Sequence, residues 1–296
     1  IIDEASQAGL DALPLLLLGK RVVVIGDDKQ NSPQAVGVDR AVVRQQIEGL
    51  LGDFPFRDSF QPESSLFDHA RLAFDSQVTL REHFRCVPEI IRFSNTHFYE
   101  QKLVPLRQPD PGSLPPLVTV FVPEAHCSGS GTRIRNEAEA EAIVETICRL
   151  VRDEAYEGKS MGVIALQGKG QADFVERRLA ERLTPREIEQ RRLVCGEPAG
   201  FQGDERDVIF LSLVVADNHN FMAQTRAEAE RRYNVAMSRA KDQAWLFHSV
   251  PASRLSQHDL RAKLLTHFTA RPPAACGSFE PEWFEAQAGR RRELGS

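Results

Sequence analysis

Apolar residues along the 296-residue chain gather into short runs separated by amphipathic stretches, and the two patterns have different periods. The runs are rich in Val and Ile: RVVVIGDD (21–28), LVTVFVP (117–123), MGVIAL (161–166), DVIFLSLVV (207–215) and AWLFHSV (244–250). They are apolar at successive rather than alternate positions, which suits strands buried on both faces of a parallel sheet covered by helices. Between them, NEAEAEAIVETICRLVRDE (136–154) sets Ile143, Val144, Ile147, Leu150 and Val151 at helical spacing, with Asn136 as cap and Glu139 three positions on. QADFVERRLAERL (171–183) and EAERRYNVAMSRA (228–240) follow the same period. From about residue 117 the order is strand, helix, strand, helix, strand, helix, strand, which predicts a doubly wound α/β domain.

Upstream the pattern is less regular. LREHFRCVPEIIRFSNTHFY (80–99) reads as a short strand, then a helix opening at Pro88 with Ile90, Ile91, Phe93 and Phe98 on its apolar face. EGLLGDFPFRDSFQPESS (48–65) is an irregular insertion with a helix start at Ser64 or Ser65, and RQPDPGSLPP (107–116) is a loop. After about residue 270 the composition changes, and RPPAACGSFEPEWFEAQAGRRRELGS reads as a tail, a linker or the first turn of a further domain.

A chain that is 42% hydrophobic and 27% charged has the balance of a globular protein, and a net charge of −5 argues against a uniformly basic nucleic-acid coat while leaving room for a local basic groove. The five cysteines form no C-x-x-C pair, so neither a disulfide framework nor a thiolate zinc site is indicated, and a reducing, cytoplasmic setting is expected. The longest apolar run, LPLLLLGKRVVVIG, is broken by Lys20 and Arg21, well short of the ~20 residues that a membrane span requires.

Five stretches carry chemistry. In IIDEASQ an apolar run ends in Asp3 and Glu4; a carboxylate at such a tip can hold Mg²⁺ through water while its neighbour orients an attacking water, or the pair can cap a strand-to-helix turn. In VVVIGDDKQNSP, Gln30 carries both donor and acceptor and can sense a terminal phosphate, or it belongs to an ordinary polar turn. GFQGDERDVIFLSLV places Gln202, Gly203 and Glu205 in a tight turn before a long strand, where Gly203 permits close backbone approach and Glu205 can meet a ribose hydroxyl or a neighbouring basic group. In RRYNVAMSRAKDQAWLF, Arg231, Asn234, Ser238 and Lys241 share one helical stripe, with Arg239 near the helix end; an arginine there can neutralise charge on a transferred phosphoryl group or simply lie on a solvated face. Arg85, with Arg81 before it, follows the short strand of LREHFR and has the same two readings.

Taken in order, these stretches resemble the later motifs of superfamily 1 helicases, most closely the Upf1-like (superfamily 1B) branch. IIDEASQ is similar to that family's Mg²⁺ and water-activating motif, GDDKQNSP to Gly-Asp-x-x-Gln-x-x-Pro, REHFR to the Tyr-Arg motif, GFQGDERDVIFLS to Gln-Gly-x-Glu and RRYNVAMSRAKD to Asn-Val-Ala-x-Thr-Arg-Ala. The resemblance implies a RecA-like P-loop NTPase fold and an ATP site between two lobes. It implies Asp3 on Mg²⁺ through water, Glu4 orienting the lytic water, Gln30 at the γ-phosphate, Arg85 and Arg239 as arginine fingers, and Gln202, Gly203 and Glu205 against the nucleotide. ATP-driven movement along single-stranded DNA or RNA is the implied activity; a RecA-like module that binds nucleic acid or a partner without turnover is the alternative.

The chain departs from that pattern in three places: LQGKGQ follows GVIA where the family has Thr-Pro-aromatic, EPAGF leads into Gln202, and His83-Phe84 precedes Arg85. No G-x-x-x-x-G-K-[ST] occurs among the 296 residues. The expected division is therefore the end of a first RecA-like lobe over 1–76, a whole second lobe over 77–270 and a tail or truncated domain over 271–296, with the rest of the first lobe as a missing partner. FEPEWFEAQ (279–287) faintly resembles the opening helix of very-short-patch-repair endonucleases, which implies a fused C-terminal nuclease domain.

Overall fold

The apolar runs from residue 117 onward form strands of one sheet that has helices on both sides. The computed structural model describes residues 1–33, 37–109, 114–219 and 222–270. Its helices are α1 (Arg40–Leu51), α2 (Leu66–Ala73), α3 (Pro88–His97), α4 (Glu137–Leu150), α5 (Lys169–Arg182), α6 (Pro185–Gln190), α7 (Ala227–Met237) and α8 (Leu260–Thr269). Its strands are β1 (Glu82–His83), β2 (Val104–Pro105), β3 (Leu117–Phe121), β4 (Cys127–Ser128), β5 (Arg135–Asn136), β6 (Met161–Ala165), β7 (Val194–Gly196), β8 (Arg206–Ser212) and β9 (Ala240–His248).

Five strands form one sheet in the order β3-β9-β8-β6-β7, every pair parallel. Successive side chains of a strand point to opposite faces, and here both faces are apolar. Val208 and Phe210 of β8 with Trp245 and Phe247 of β9 pack on the side of α4 and α5. Ile209, Leu211, Ala244 and Leu246 pack on the side of α3, α7 and α8. The α/β expectation, a parallel sheet flanked by helices, is met. Asn136 accepts from the Glu139 amide at 3.1 Å and caps α4 as its spacing predicts. Ser65, not Ser64, caps α2 in a reciprocal box with Asp68.

Three expectations need correction. The run 21–28 is not a full strand: Ile2 and Val24 pair in parallel at a single position, fixed by Ile2 N to Val23 O and Ile25 N to Ile2 O, both 2.8 Å. Val23 and Ile25 remain 55% and 43% exposed, so nothing among the described residues covers a longer ladder there. Lys241 does not share a helical stripe with Asn234, because α7 ends at Met237 and Lys241 already lies on β9. The order from residue 117 also contains the antiparallel β4–β5 pair, the short α6 and the edge strand β7, which the apolar pattern did not anticipate. The tail reading of 271–296 and its endonuclease-like segment lie outside the described residues. Among those residues no helix is long and apolar enough to cross a membrane.

α2 packs on the N-terminal segment: Leu66 N donates to Ala8 O at 2.8 Å and Leu66 is fully buried. This fixes the relation that matters for the site. Asp3 and Asp27 follow the paired positions Ile2 and Val24, at the carboxyl ends of those extended segments. Gln202–Glu205 and Arg239 precede β8 and β9, at the amino ends of the sheet strands.

Candidate functional site

The turn after Ile2 puts Glu4 at φ +52°, in the left-handed region, a conformation that costs a non-glycine residue about 1–3 kcal/mol. The Asp3 carboxylate accepts the Glu4 amide at 2.8 Å, so it caps the turn while remaining exposed. The Glu4 carboxylate accepts from Gln7 Nε2 at 3.0 Å and from Gln202 Nε2 at 3.2 Å, a contact across 198 residues of sequence.

Gln30 sits in the turn that follows Val24. Its Nε2 donates to Asp27 Oδ2 at 2.8 Å, and its Oε1 accepts from Arg239 Nη2 at 3.4 Å. The Asp27 Oδ2 also accepts from the Tyr99 hydroxyl at 2.5 Å. Asn234 Nδ2, from α7, donates both to Lys29 O and to the Tyr99 oxygen at 2.8 Å. Arg231 Nη1 donates to Ser32 Oγ at 2.6 Å, so α7 grips this turn at two points one helical turn apart.

The Gln202–Glu205 turn closes with Asp204 N donating to Phe201 O at 3.0 Å, and Gly203 adopts φ +78°, which glycine tolerates without strain. Glu205 meets basic groups here: its carboxylate accepts from Arg85 Nε at 2.6 Å and lies 3.9 Å from Lys241 Nζ. Gln202 Oε1 is buried and has no hydrogen-bond partner among the described residues. A buried acceptor without a donor is costly, about 1–3 kcal/mol, and its presence marks a place where a donor group fits.

Arg239 is buried, 2% exposed, yet it ends at the seam. Nε donates to Val235 O at 3.2 Å, Nη1 to Phe201 O at 3.4 Å and Asp204 O at 3.3 Å, and Nη2 to Ser238 Oγ at 3.1 Å. Burial, followed by the neighbouring Arg85 charge, pulls its pKa down to about 10, so it remains a cation at neutral pH. Arg85 is the less buried of the two and also donates to Ser238 O at 3.3 Å. Beside them, burial and then the two guanidinium charges push His83 down to about 4; the imidazole stays neutral and its Nε2 accepts from the Cys86 amide at 3.0 Å.

The structure thus brings together Glu4 with Gln202, Gln30 with Arg239, and Arg85 with Glu205, while Asp3 and Gly203 face solvent at the same seam. Sequence reasoning missed Tyr99 and the part played by Asp27. The signal available was a hydroxyl-bearing ring just past the end of an apolar helix face, and a carboxylate three residues before Gln30. The donor set fits a Mg²⁺-nucleotide. Among the described residues no cluster of three or more His, Cys, Asp or Glu forms a protein-only metal cage. Mg²⁺ with a nucleotide typically needs only one or two carboxylates beside the phosphates, which an exposed Asp3 can supply, and two guanidiniums suit phosphate oxygens.

A family model described as an AAA domain (AAA_12) matches residues 62–250. The chain belongs to this family. The matched span of the AAA domain contains the last three of the five motifs. The chain is 29% identical over 284 residues to the uncharacterized ATP-dependent helicase MG140 homolog of Mycoplasma pneumoniae, covering 90% of this chain and 25% of that protein. It is 25% identical over 258 residues to the ATP-dependent helicase upf1 of Schizosaccharomyces pombe, covering 81% and 25%. The chain therefore spans about a quarter of the length of the curated relatives it matches. The structure of PRRSV helicase aligns with a TM-score of 0.35 at 16% identity, over 83% of this chain and 34% of that one. The Upf1-like resemblance read from the motifs is borne out by the family match and these relatives.

Proposed function

We propose that this AAA-domain chain is the end of the first RecA-like lobe and the whole second lobe of an ATP-dependent superfamily 1 helicase, which moves along single-stranded nucleic acid in the cytoplasm. One observation carries the reading: the motif residues of the two ends of the chain meet, Gln202 Nε2 at 3.2 Å from Glu4 Oε2 and Arg239 Nη2 at 3.4 Å from Gln30 Oε1. Chance polar turns have no reason to converge in register on one seam, and the similarity to proteins named as ATP-dependent helicases supports the same conclusion.

Bound Mg-ATP supplies the phosphoryl group to be transferred and the metal charge that offsets it. Asp3 would hold the metal through water. The exposed Glu4 carboxylate, already an acceptor for two amides, would orient and take a proton from the attacking water. Arg239 and Arg85 would offset charge developing on the phosphoryl oxygens, and Arg85 must first exchange its bond to Glu205 to do so. The buried Gln202 Oε1 would accept from a donor group of the nucleotide.

The rest of the first lobe would cover the large apolar side chains that this segment leaves exposed, among them Leu17 at 86% and Leu18 at 81%. Because the 296 residues carry no phosphate loop, turnover by this polypeptide alone should be negligible. The test compares ATPase activity of this chain with that of a version extended N-terminally through such a loop, with and without single-stranded DNA and RNA. Turnover by the extended protein alone, lost on Glu4→Gln, upholds the reading, and the strand that stimulates it names the substrate. Robust turnover by the 296 residues, or strand binding by both proteins with turnover by neither, overturns it, the second in favour of a non-catalytic binding module.

A further inference from the structure

Gln30 has an amide whose two ends are chemically opposite, and a phosphate sensor works only if the correct end faces the phosphate. Nothing in Gln30 itself fixes that choice, since a half-turn about its last bond exchanges oxygen for nitrogen. The surroundings do fix it. Nε2 faces Asp27 Oδ2 at 2.8 Å and Oε1 faces the Arg239 guanidinium at 3.4 Å. Turned over, the amide would set oxygen against a carboxylate and N–H against N–H.

The carboxylate that enforces this is held at both oxygens: Oδ1 accepts from the Lys29 amide at 2.9 Å within its own turn, and Oδ2, the oxygen that meets Gln30, accepts from Tyr99. Burial, and after it the charge of Asp27, raises the Tyr99 pKa, so the ring keeps its proton. A carboxylate only accepts, so that proton is donated to Asp27, across 2.5 Å, and the oxygen is left to accept from Asn234 Nδ2 at 2.8 Å, with the Gln30 amide as a further neighbour. The bonds run in one sense from Asn234 through Tyr99 to Asp27, where they meet the N–H of Gln30. Such a chain has one satisfied arrangement, and each bond polarises the next.

We propose that Tyr99 is a positioning residue for Gln30: its hydroxyl orients the Asp27 carboxylate, which sets the face that the Gln30 amide turns to Arg239. Tyr99 lies just beyond the end of α3, and α3 begins just after Arg85 and Cys86. One helix therefore joins the Arg85 turn at its start to the Gln30 turn at its end, so a movement of the second lobe that carries α3 acts on both. Any effect on phosphate sensing rests on the ATP reading above; the orientation of the amide does not.

The test is made on the 296-residue chain without nucleotide, so that failure of the ATP reading leaves it readable. The side-chain amide proton signals of Gln30 are assigned by their loss in Gln30→Glu and followed in Tyr99→Phe, which keeps the ring and removes the hydroxyl. The expected result is that the two proton signals converge toward those of a free glutamine and exchange with water about 10-fold faster, as loss of one charge-assisted bond implies. Asp27→Asn should do the same, and Tyr99→Phe with Asp27→Asn should do no more than either alone. Unchanged Gln30 signals in Tyr99→Phe, or effects of the two substitutions that add, overturn the proposal. Asn234→Ala, which removes the second donor to the turn but spares the Tyr99–Asp27 bond, should leave the separation of the two signals in place; convergence as large as in Tyr99→Phe also overturns it.

Discussion

Replacing Arg239 with alanine tests a structural role that stands beside its proposed one at the phosphoryl group. Four of its five hydrogen bonds stay within residues 201–239, three of them to the carbonyls of Val235, Phe201 and Asp204. Val235 O keeps the Ser238 hydroxyl at 3.1 Å and Phe201 O keeps the Asp204 amide at 3.0 Å, so the Asp204 carbonyl is the one left without a donor, at a cost of about 1–3 kcal/mol, and the cavity adds to that. Against this stands a gain: no carboxylate lies within 4.0 Å of Arg239 among the described residues, so its removal also relieves a buried cation. The balance is a loss of about 2–4 kcal/mol, a large share of the ~5–15 kcal/mol that holds an ordinary domain. Arg85 is half exposed by comparison, with 32% of its side chain accessible, and its pair with Glu205 is worth about 0.5–1 kcal/mol. Urea unfolding at pH 7, followed by the fluorescence of Trp245, which is 1% exposed on β9, measures both variants. If Arg239→Ala unfolds within 1 kcal/mol of the unaltered chain and level with Arg85→Ala, then neither the Asp204 carbonyl nor the cavity carries the expected cost and the staple role is wrong. If the difference appears, activity lost in Arg239 variants has to be read against their stability, and Glu4→Gln becomes the cleaner probe of chemistry.

Two further outcomes follow from single elements. Glu139 is fully buried, and burial pushes its pKa up to about 7 although Val214 N at 2.9 Å and the Ser212 and Ser249 hydroxyls at 2.8 and 3.0 Å favour its charged form. A folded pKa raised above the ordinary 4.5 means that the fold prefers the protonated acid. Its contribution is then full below about pH 4.5, declines as pH rises to about 7 and is flat above that, a total of roughly 3 kcal/mol. Unfolding free energies at pH 5 and pH 8 should differ by more in the unaltered chain than in Glu139→Gln; equal differences refute this. Ser65→Ala removes the reciprocal cap of α2 and should cost about 1 kcal/mol in the same melts, with protection from hydrogen exchange lost over Leu66–Ala70 first.

The central strands β6, β8 and β9 were legible because they are apolar on both faces and need no partner to be recognised. Where partners decide, the sequence pattern misleads. RVVVIGDD has a strand's composition, yet a longer ladder needs a longer partner, and among the described residues Val23 and Ile25 bond on one side to the short segment at Ile2 and Ala5. β9 begins four residues before its apolar run because Lys241 meets Asp207 at 2.7 Å and Asp242 meets Lys159 at 2.9 Å, so charged positions are tolerated at the strand's start. Each motif could be picked out by itself, because residue type and local spacing carry that information. The pairs Glu4–Gln202 and Gln30–Arg239, 198 and 209 residues apart, could not be read, since no local period encodes a distance across the fold. Tyr99 was hidden for another reason: an aromatic residue at the end of an apolar helix looks like core until its hydroxyl is seen.

The distances across the seam are unequal, and the inequality has a direction. Three bonds to the turn at 27–32 are short, Tyr99 to Asp27 at 2.5 Å, Arg231 Nη1 to Ser32 at 2.6 Å and Asn234 to Lys29 O at 2.8 Å, while Arg231 Nε reaches Asp28 O at 3.4 Å. Those between the residues assigned to chemistry are long, 3.2 Å from Gln202 to Glu4 and 3.4 Å from Arg239 to Gln30, near the limit at which a hydrogen bond retains useful strength. The helices α3 and α7 therefore hold the first segment firmly by one turn, while Glu4, Gln202, Gln30 and Arg239 meet with slack. Slack at that end is what a ligand site between two lobes requires, because contacts already at optimal length would have to be broken before phosphate oxygens could take their place.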